Sequence, residues 1–289
     1  MRRKKSTADR LCRWLSIALL GVLSLAVVVP LLWLAAGSFM AKDEIVARFG
    51  MVLGLGSGKA SPALLPNYPT LAPYLELLLD SPEFYVMFWN SCLQVGAVLA
   101  GQVLVAMPAA WAFAHFRFRG RTPLMFLYII LMILPFQVTM VSSYLVLDGT
   151  GLLDTHWAII LPGIFSTFPV FMMEKFFRSI QDSLLEAARI DGAGELVIFF
   201  RIALPLGFPG VAASLLLGFF EYWNAIEQPL TFLKDKSKWP LSLFLPNIGL
   251  EQAALSFCAS AIAMLPPVLL FFMGQGYLEE GIAASGLKE

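Results

Sequence analysis

Charge is scarce in this chain, and neither sign prevails. Only 14% of its 289 residues are charged, where a soluble domain carries about a quarter. Twenty Lys and Arg balance twenty Asp and Glu. A formal net charge of zero excludes a protein that holds nucleic acid on a basic surface. Cys12, Cys92 and Cys258 are the three cysteines, far apart and without a C-x-x-C pair, so they form no disulfide framework of the small secreted kind. His115 and His156 are the only histidines, which excludes a His/Cys metal cluster. A phosphate loop is also missing. Gly58-Lys59 is followed by Ala60, and Leu53 stands where the first glycine belongs, so the backbone cradle and the magnesium-binding hydroxyl are lost. No Asp pair lies inside the apolar runs, and no catalytic Ser–His pairing is visible in them, as an intramembrane enzyme would need.

Apolar residues are abundant instead, at 58%, with a mean hydropathy of +0.76. Six runs carry no Asp, Glu, Lys or Arg: 14–41, 84–114, 122–147, 155–173, 202–220 and 252–278. A helix needs about 20 apolar residues to cross the hydrocarbon core. Phe176-Phe177 and Tyr222-Trp223 extend the two shortest runs to 155–177 and 202–223. The reading is an all-α membrane protein of six spans. Residues 1–13 form an N-terminal segment, 14–289 the transmembrane domain, and 178–201 a loop between spans four and five. With the N-terminus in the cytoplasm, inside segments hold fourteen of the twenty Lys and Arg. That bias puts both termini inside. Arg2 to Lys5 resembles a signal-peptide n-region, but the first run is too long for an h-region of about 7–15 residues. It is read as an uncleaved span.

The outside loops differ from one another. Residues 42–83 combine a glycine-rich stretch, Gly50 to Gly58, with Pro62, Pro66, Pro69 and Pro73; residues 42–60 read as a solvated connector. Residues 221–251 contain Lys234, Lys236 and Lys238, then Trp239-Pro240 and Pro246-Asn247. Such loops are expected to be poorly ordered or held by a partner. Polar side chains in or beside the spans are few: Asn90, Gln94, Gln102, Gln137, Glu221, Tyr222, Trp223 and Asn224. Each suits either a polar pathway or a hydrogen bond between helices. A chain so poor in intramembrane charge lacks the groups of an ion-coupled carrier.

One inside segment has a defined pattern. Ser183 and Glu186 stand at capping-box spacing, which predicts a helix from Ser183. Leu184, Leu185 and Ala188 form its apolar strip, with Glu186 and Arg189 outward. Asp191-Gly192 ends it, a second helix starts near Gly194, and Pro205 and Pro209 mark re-entry into the membrane. The product is a helix–turn–helix protruding from the inner face.

Glu186-Ala187-Ala188, then Asp191-Gly192-Ala193, Phe199, Ile202, Leu204 and Pro205 resemble the EAA motif of ABC importer permeases, in the form found in the carbohydrate-uptake branch. Tyr222-Trp223-Asn224 with Pro229-Leu230 is similar to the family's pattern after span five, and 71–79 and 277–288 also resemble it. Glu227-Gln228 departs from the usual aromatic or aliphatic residues. The resemblance implies a type I importer permease fold in the cytoplasmic membrane of a prokaryote. It implies partners as well: a second permease in a heterodimer, two ATPase subunits that bind ATP and Mg, an extracytoplasmic solute-binding protein near 228–251, and a carbohydrate substrate. This chain would bind no cofactor. Glu186 would pair with a basic group in the ATPase cleft, Gly192 would allow the turn, and Ala187 and Ala188 would permit close packing. Glu186 capping its own helix is the simpler role. A self-sufficient carrier or channel is the competing function, and it would not depend on Glu186.

Overall fold

The computed structural model describes residues 7–50, 65–247 and 252–286. Arg2 to Lys5, most of the glycine-rich stretch with Gly58-Lys59 and Pro62, residues 248–251 and Lys288 lie outside the described residues. The described chain is helical, in the order α1 (Thr7–Gly37), α2 (Lys42–Phe49), α3 (Ala72–Asp80), α4 (Pro82–His115), α5 (Arg121–Ile133), α6 (Phe136–Gly149), α7 (Trp157–Ile164), α8 (Thr167–Arg178), α9 (Asp182–Ile190) and α10 (Glu195–Ile198). A π turn (Phe199–Ala203), α11 (Leu204–Trp223), α12 (Glu227–Phe232), α13 (Phe244–Asn247) and α14 (Ala253–Gly286) come after these.

Among the described residues, five helical segments are long and apolar enough to cross a membrane: Arg13–Gly37, Pro82–His115, Trp157–Arg178, Glu195–Trp223 and Ala253–Glu279. The sixth expected span, 122–147, is not one straight helix. It is two, α5 and α6, meeting at 106°. Pro135 is the cause. A proline disfavours the helical region for the residue before it, and Leu134 takes φ −66°, ψ 123°. Pro135 itself is extended at ψ 147° and starts α6. A second boundary also moves. The fifth span was expected from 202, but the helical path is continuous from Glu195. Pro205 lacks the N–H that Arg201 would accept, and its ring crowds that carbonyl. The π turn absorbs the mismatch, with the Leu204 N–H reaching back to the Phe199 carbonyl.

The chain divides into two compact units. The first comprises Met1–Pro82 with Leu245–Ile262. Met40, Ile45 and Ala254 make its buried core, so 42–49 is a packed helix and not the solvated connector expected. Glu44 ties this helix to the chain beyond it, bonding Arg48 at 2.7 Å and accepting from the Asn67 N–H at 2.8 Å. The most apolar stretch of α1 is uncovered, a helix for which lipid or another chain is the solvent, whereas its last turns pack, with Gly37 buried and Trp33 meeting Phe49 at 5.4 Å.

The second unit comprises Glu83–Phe244 with Ala263–Glu289. Along α4 the buried positions Phe84, Met87, Ser91, Val95, Val98 and Gln102 recur at helical spacing. At the other end of α4, the rings of Trp111, Phe177 and Phe199 lie 5.7–6.1 Å apart around one core. Helix α8 meets α11 closely because Gly210 has no side chain. A Cβ there would lie 2.1 Å from the Phe176 ring.

Candidate functional site

Residues 178–203 fold into the expected hairpin, with differences in detail. Helix α9 starts at Asp182, one residue before the predicted Ser183. Its N-cap is Gln181, and no side chain bonds the free N–H groups there. The Ser183/Glu186 capping box therefore does not form. Glu186 is exposed and makes no hydrogen bond or ion pair among the described residues, so it does not cap its own helix.

The end of α9 agrees with the prediction. Gly192 adopts φ +84°, its N–H bonds the Arg189 carbonyl at 3.0 Å, and the Ala193 N–H bonds the Ala188 carbonyl at 3.0 Å. That pair of bonds is a Schellman motif. No atom lies within 4 Å of where a Gly192 Cβ would stand, so glycine is required here for its backbone alone. Helix α10 begins at Glu195 after Gly194. Across the turn, Arg189 donates Nε and Nη2 to the two Glu195 carboxylate oxygens at 2.7 and 3.3 Å. That bond raises the Arg189 pKa above its ordinary value. Arg189 was expected to face outward; it is exposed and also closes the hairpin. Opposite charges on either side of an Asp-Gly turn were the available signal.

The apolar strip is also redistributed. Leu185 is 1% exposed, within the core of Trp111, Phe177, Ile198 and Phe199. Ala188, Ala193, Ile202 and Leu204 pack against that core in part. Leu184, its sequence neighbour, is 44% exposed and belongs to the other face. Ile190 at 86%, Leu196 at 74% and Phe200 at 58% are also exposed. Ala187, Asp191 and Pro205 are exposed as well. The hairpin thus buries one leucine deeply and leaves an apolar, acidic face without a partner.

At the opposite ends of the helices the polar residues are occupied. Asn90 Nδ2 donates to the carbonyls of Ser237 and Trp239, at 2.7 and 3.0 Å. Gln94 Nε2 donates to the Lys238 carbonyl at 2.9 Å and to His156 Nδ1 at 3.1 Å. Ser91 Oγ accepts the Leu241 N–H at 2.8 Å. Tyr222 and Trp223 are buried; Trp223 Nε1 donates to the Ala263 carbonyl at 3.1 Å. Asn224 Nδ2 donates to the Phe220 carbonyl at 2.8 Å. Gln137 donates to both Glu227 oxygens at 2.8 and 2.7 Å. Of the seven candidate pathway residues, Glu221 alone stays exposed without a hydrogen bond among the described residues. Gln102, a further polar candidate, is buried and donates to the Gly163 carbonyl at 3.0 Å.

Asp154 was not singled out by sequence, yet it organises this end. Its Oδ1 accepts from the N–H groups of Asp235 and Lys234, both at 2.9 Å. Its Oδ2 faces Lys238 Nζ at 3.4 Å. The Asp235 bond is the main cause holding the Asp154 carboxyl below the usual carboxylate value. Residues 224–244 are thus ordered by the chain itself, against the expectation of a loop ordered poorly or only by a partner.

Residues 102–284 match the family model described as the binding-protein-dependent transport system inner membrane component. The chain belongs to this family. The match includes α9, α10 and α11, the whole hairpin. Protein LplC of Bacillus subtilis strain 168 is 31% identical over 94% of this chain and 93% of its own length. The polygalacturonan/rhamnogalacturonan transport system permease protein YtcP of the same strain is 30% identical over 86% and 81%. A chain in the crystal structure of a bacterial ABC transporter that imports the acidic polysaccharide alginate has the same fold, with a TM-score of 0.81 at 22% identity, covering 95% of this chain and 99% of that one. The chain is thus a permease subunit of an ABC importer, a multi-pass protein of the cytoplasmic membrane. It is a transport subunit and not an enzyme, and hydrolysis belongs to a separate ATPase. The self-sufficient carrier or channel is set aside.

Proposed function

We propose that this subunit forms half of a carbohydrate pathway and docks an ATPase subunit through 182–193. The observation that carries the docking is the unpartnered face of Glu186, Ile190 and Leu196 beside a deeply anchored Leu185. An exposed carboxylate on a segment that also exposes apolar side chains suits a basic group in an apolar cleft. Ala187 and Ala188 allow close approach, and Gly192 sets the turn. The same reading puts both termini and the hairpin in the cytoplasm, in line with the basic-residue bias. ATP and Mg would bind two partner ATPases, and a second, different permease would complete the pathway. The loop 228–247 would meet the solute-binding protein. Carbohydrate as substrate class is supported by relatives such as YtcP and the galactooligosaccharides permease GanQ of Bacillus subtilis, 28% identical over 94% of each chain. Glu221 and the Gln137–Glu227 pair are the exposed polar groups left for the pathway.

Co-purification tests the docking. Glu186→Lys and Ile190→Asp are each expected to lower recovery of the ATPase by more than about ten-fold, the size of a hot-spot loss. Recovery equal to wild type for both variants overturns it.

A further inference from the structure

His115 ends α4, and both of its ring nitrogens face acceptors on other elements. Nε2 donates to the Phe177 carbonyl near the end of α8 at 2.7 Å. Nδ1 lies 3.4 Å from the carboxylate of Asp182, the first residue of α9. Trp111, one turn earlier on α4, holds the ring in place with centroids 4.4 Å apart. The His115 side chain is 6% exposed, whereas that of Asp182 is 84% exposed. Nor is His115 needed to finish its own helix: Arg121 Nη2 donates to the Ala114 carbonyl at 3.0 Å. The other ties from α9 to the core run through Leu185 and Ala188, and apolar contacts are non-directional. A hydrogen bond weakens steeply when misaligned. His115 therefore bonds α4 directionally to the end of α8, just before α9, and its second ring nitrogen lies beside the carboxylate that opens α9.

We infer that His115 is a positioning residue that passes displacement of α9 into α4. The inference rests on the docking reading above, and α9 is the element that a docked ATPase would move. Loss of the link leaves the docking face whole, because Glu186, Ile190 and Leu196 do not touch His115. It separates events at the ATPase from movement of α4.

The test uses the complete importer in proteoliposomes: this chain, its second permease, the ATPases and the solute-binding protein. Cys12 and Cys258 are replaced by alanine, leaving Cys92 as the single thiol of this chain, half-buried on α4. A fluorescent maleimide reports how Cys92 labelling changes when ATP and vanadate are added. His115→Ala is expected to keep ATPase recovery and hydrolysis within about two-fold while cutting the ATP-dependent change in labelling by about five-fold or more, the low end of coupling between sites. His115→Gln, which keeps a donor for the Phe177 carbonyl, is expected to restore more than half of the change. Asp182→Ala, at an exposed position, is expected to reduce it in the same direction but less. The inference is overturned if His115→Ala leaves the change intact, or if the parent Cys92 does not respond to ATP. It is also overturned if hydrolysis, recovery and labelling fall together while Asp182→Ala is silent. An ATPase that does not co-purify with the wild-type chain overturns the docking reading itself, and that result is read before any labelling.

Discussion

Asp154, half-buried, and Glu186, exposed, are both carboxylates in or beside short connections between helices, and their surroundings differ in kind. Asp154 accepts two backbone N–H groups and faces Lys238. Glu186 accepts nothing among the described residues. The same contrast runs through their neighbourhoods. Around Asp154, the side chains of Asn90, Ser91 and Gln94 are spent on the backbone of 237–241. On the hairpin that carries Glu186, Ile190 and Leu196 stay bare. One region satisfies its polar groups and carries its own order. The other is shaped by a Schellman turn, an Arg189–Glu195 clasp and one buried leucine, and is then left incomplete. On the proposed reading, the second surface is the one a partner completes.

Two adjacent leucines offer the sharpest way to break this contrast. Leu185→Ala removes a fully buried side chain and is expected to cost about 2–5 kcal/mol, read as a lower unfolding temperature in detergent. Leu184→Ala is expected to leave that temperature unchanged and to weaken ATPase recovery instead. Equal thermal effects would mean that α9 has no distinct docking face.

Gly192→Ala comes next in size. No atom blocks the new Cβ, so only the left-handed backbone resists it, at about 1–2 kcal/mol. Thermal unfolding should show that loss, together with reduced ATPase recovery. A shift as large as that of Leu185→Ala would point to packing that the geometry does not contain.

The smallest effect concerns Asp154. Its carboxyl is held below the ordinary value of 3.8, so its contribution to order is complete above that value and is lost as pH falls through the lower, folded one. Exposure and screening keep the effect modest. Hydrogen exchange at the Lys234 and Asp235 amides, corrected for intrinsic rate, should lose protection only in that acid window. Asp154→Asn should show weaker protection at neutral pH. Protection in the variant equal to wild type would remove Asp154 from its organising role.

Much of the fold is legible in the sequence because lipid imposes a simple condition on each span: length without charge. That condition counts residues and is blind to direction, so the bend at Pro135 escapes it although the proline is visible. The hairpin is legible for a different reason. Gly192 and Pro205 are backbone constraints that act locally, and local constraints survive without tertiary knowledge. What stays hidden is which face of α9 turns inward. Leu184 and Leu185 are the same residue type side by side, and only the Trp111–Phe177–Phe199 core decides between them. Asn90 and Gln94 mislead similarly. Their partners are backbone carbonyls 144–149 residues away, and a carbonyl carries no side-chain signal.

The claim that the hairpin is completed by an ATPase is tested most directly by proximity. A photo-crosslinking residue is placed at Ile190, 86% exposed on α9, and separately at Leu230, 58% exposed on α12. In membranes containing the assembled importer, Ile190 should crosslink to the ATPase subunit and Leu230 should not. Crosslinking of the ATPase from Leu230, or none from Ile190 in an importer that still hydrolyses ATP, would contradict the account.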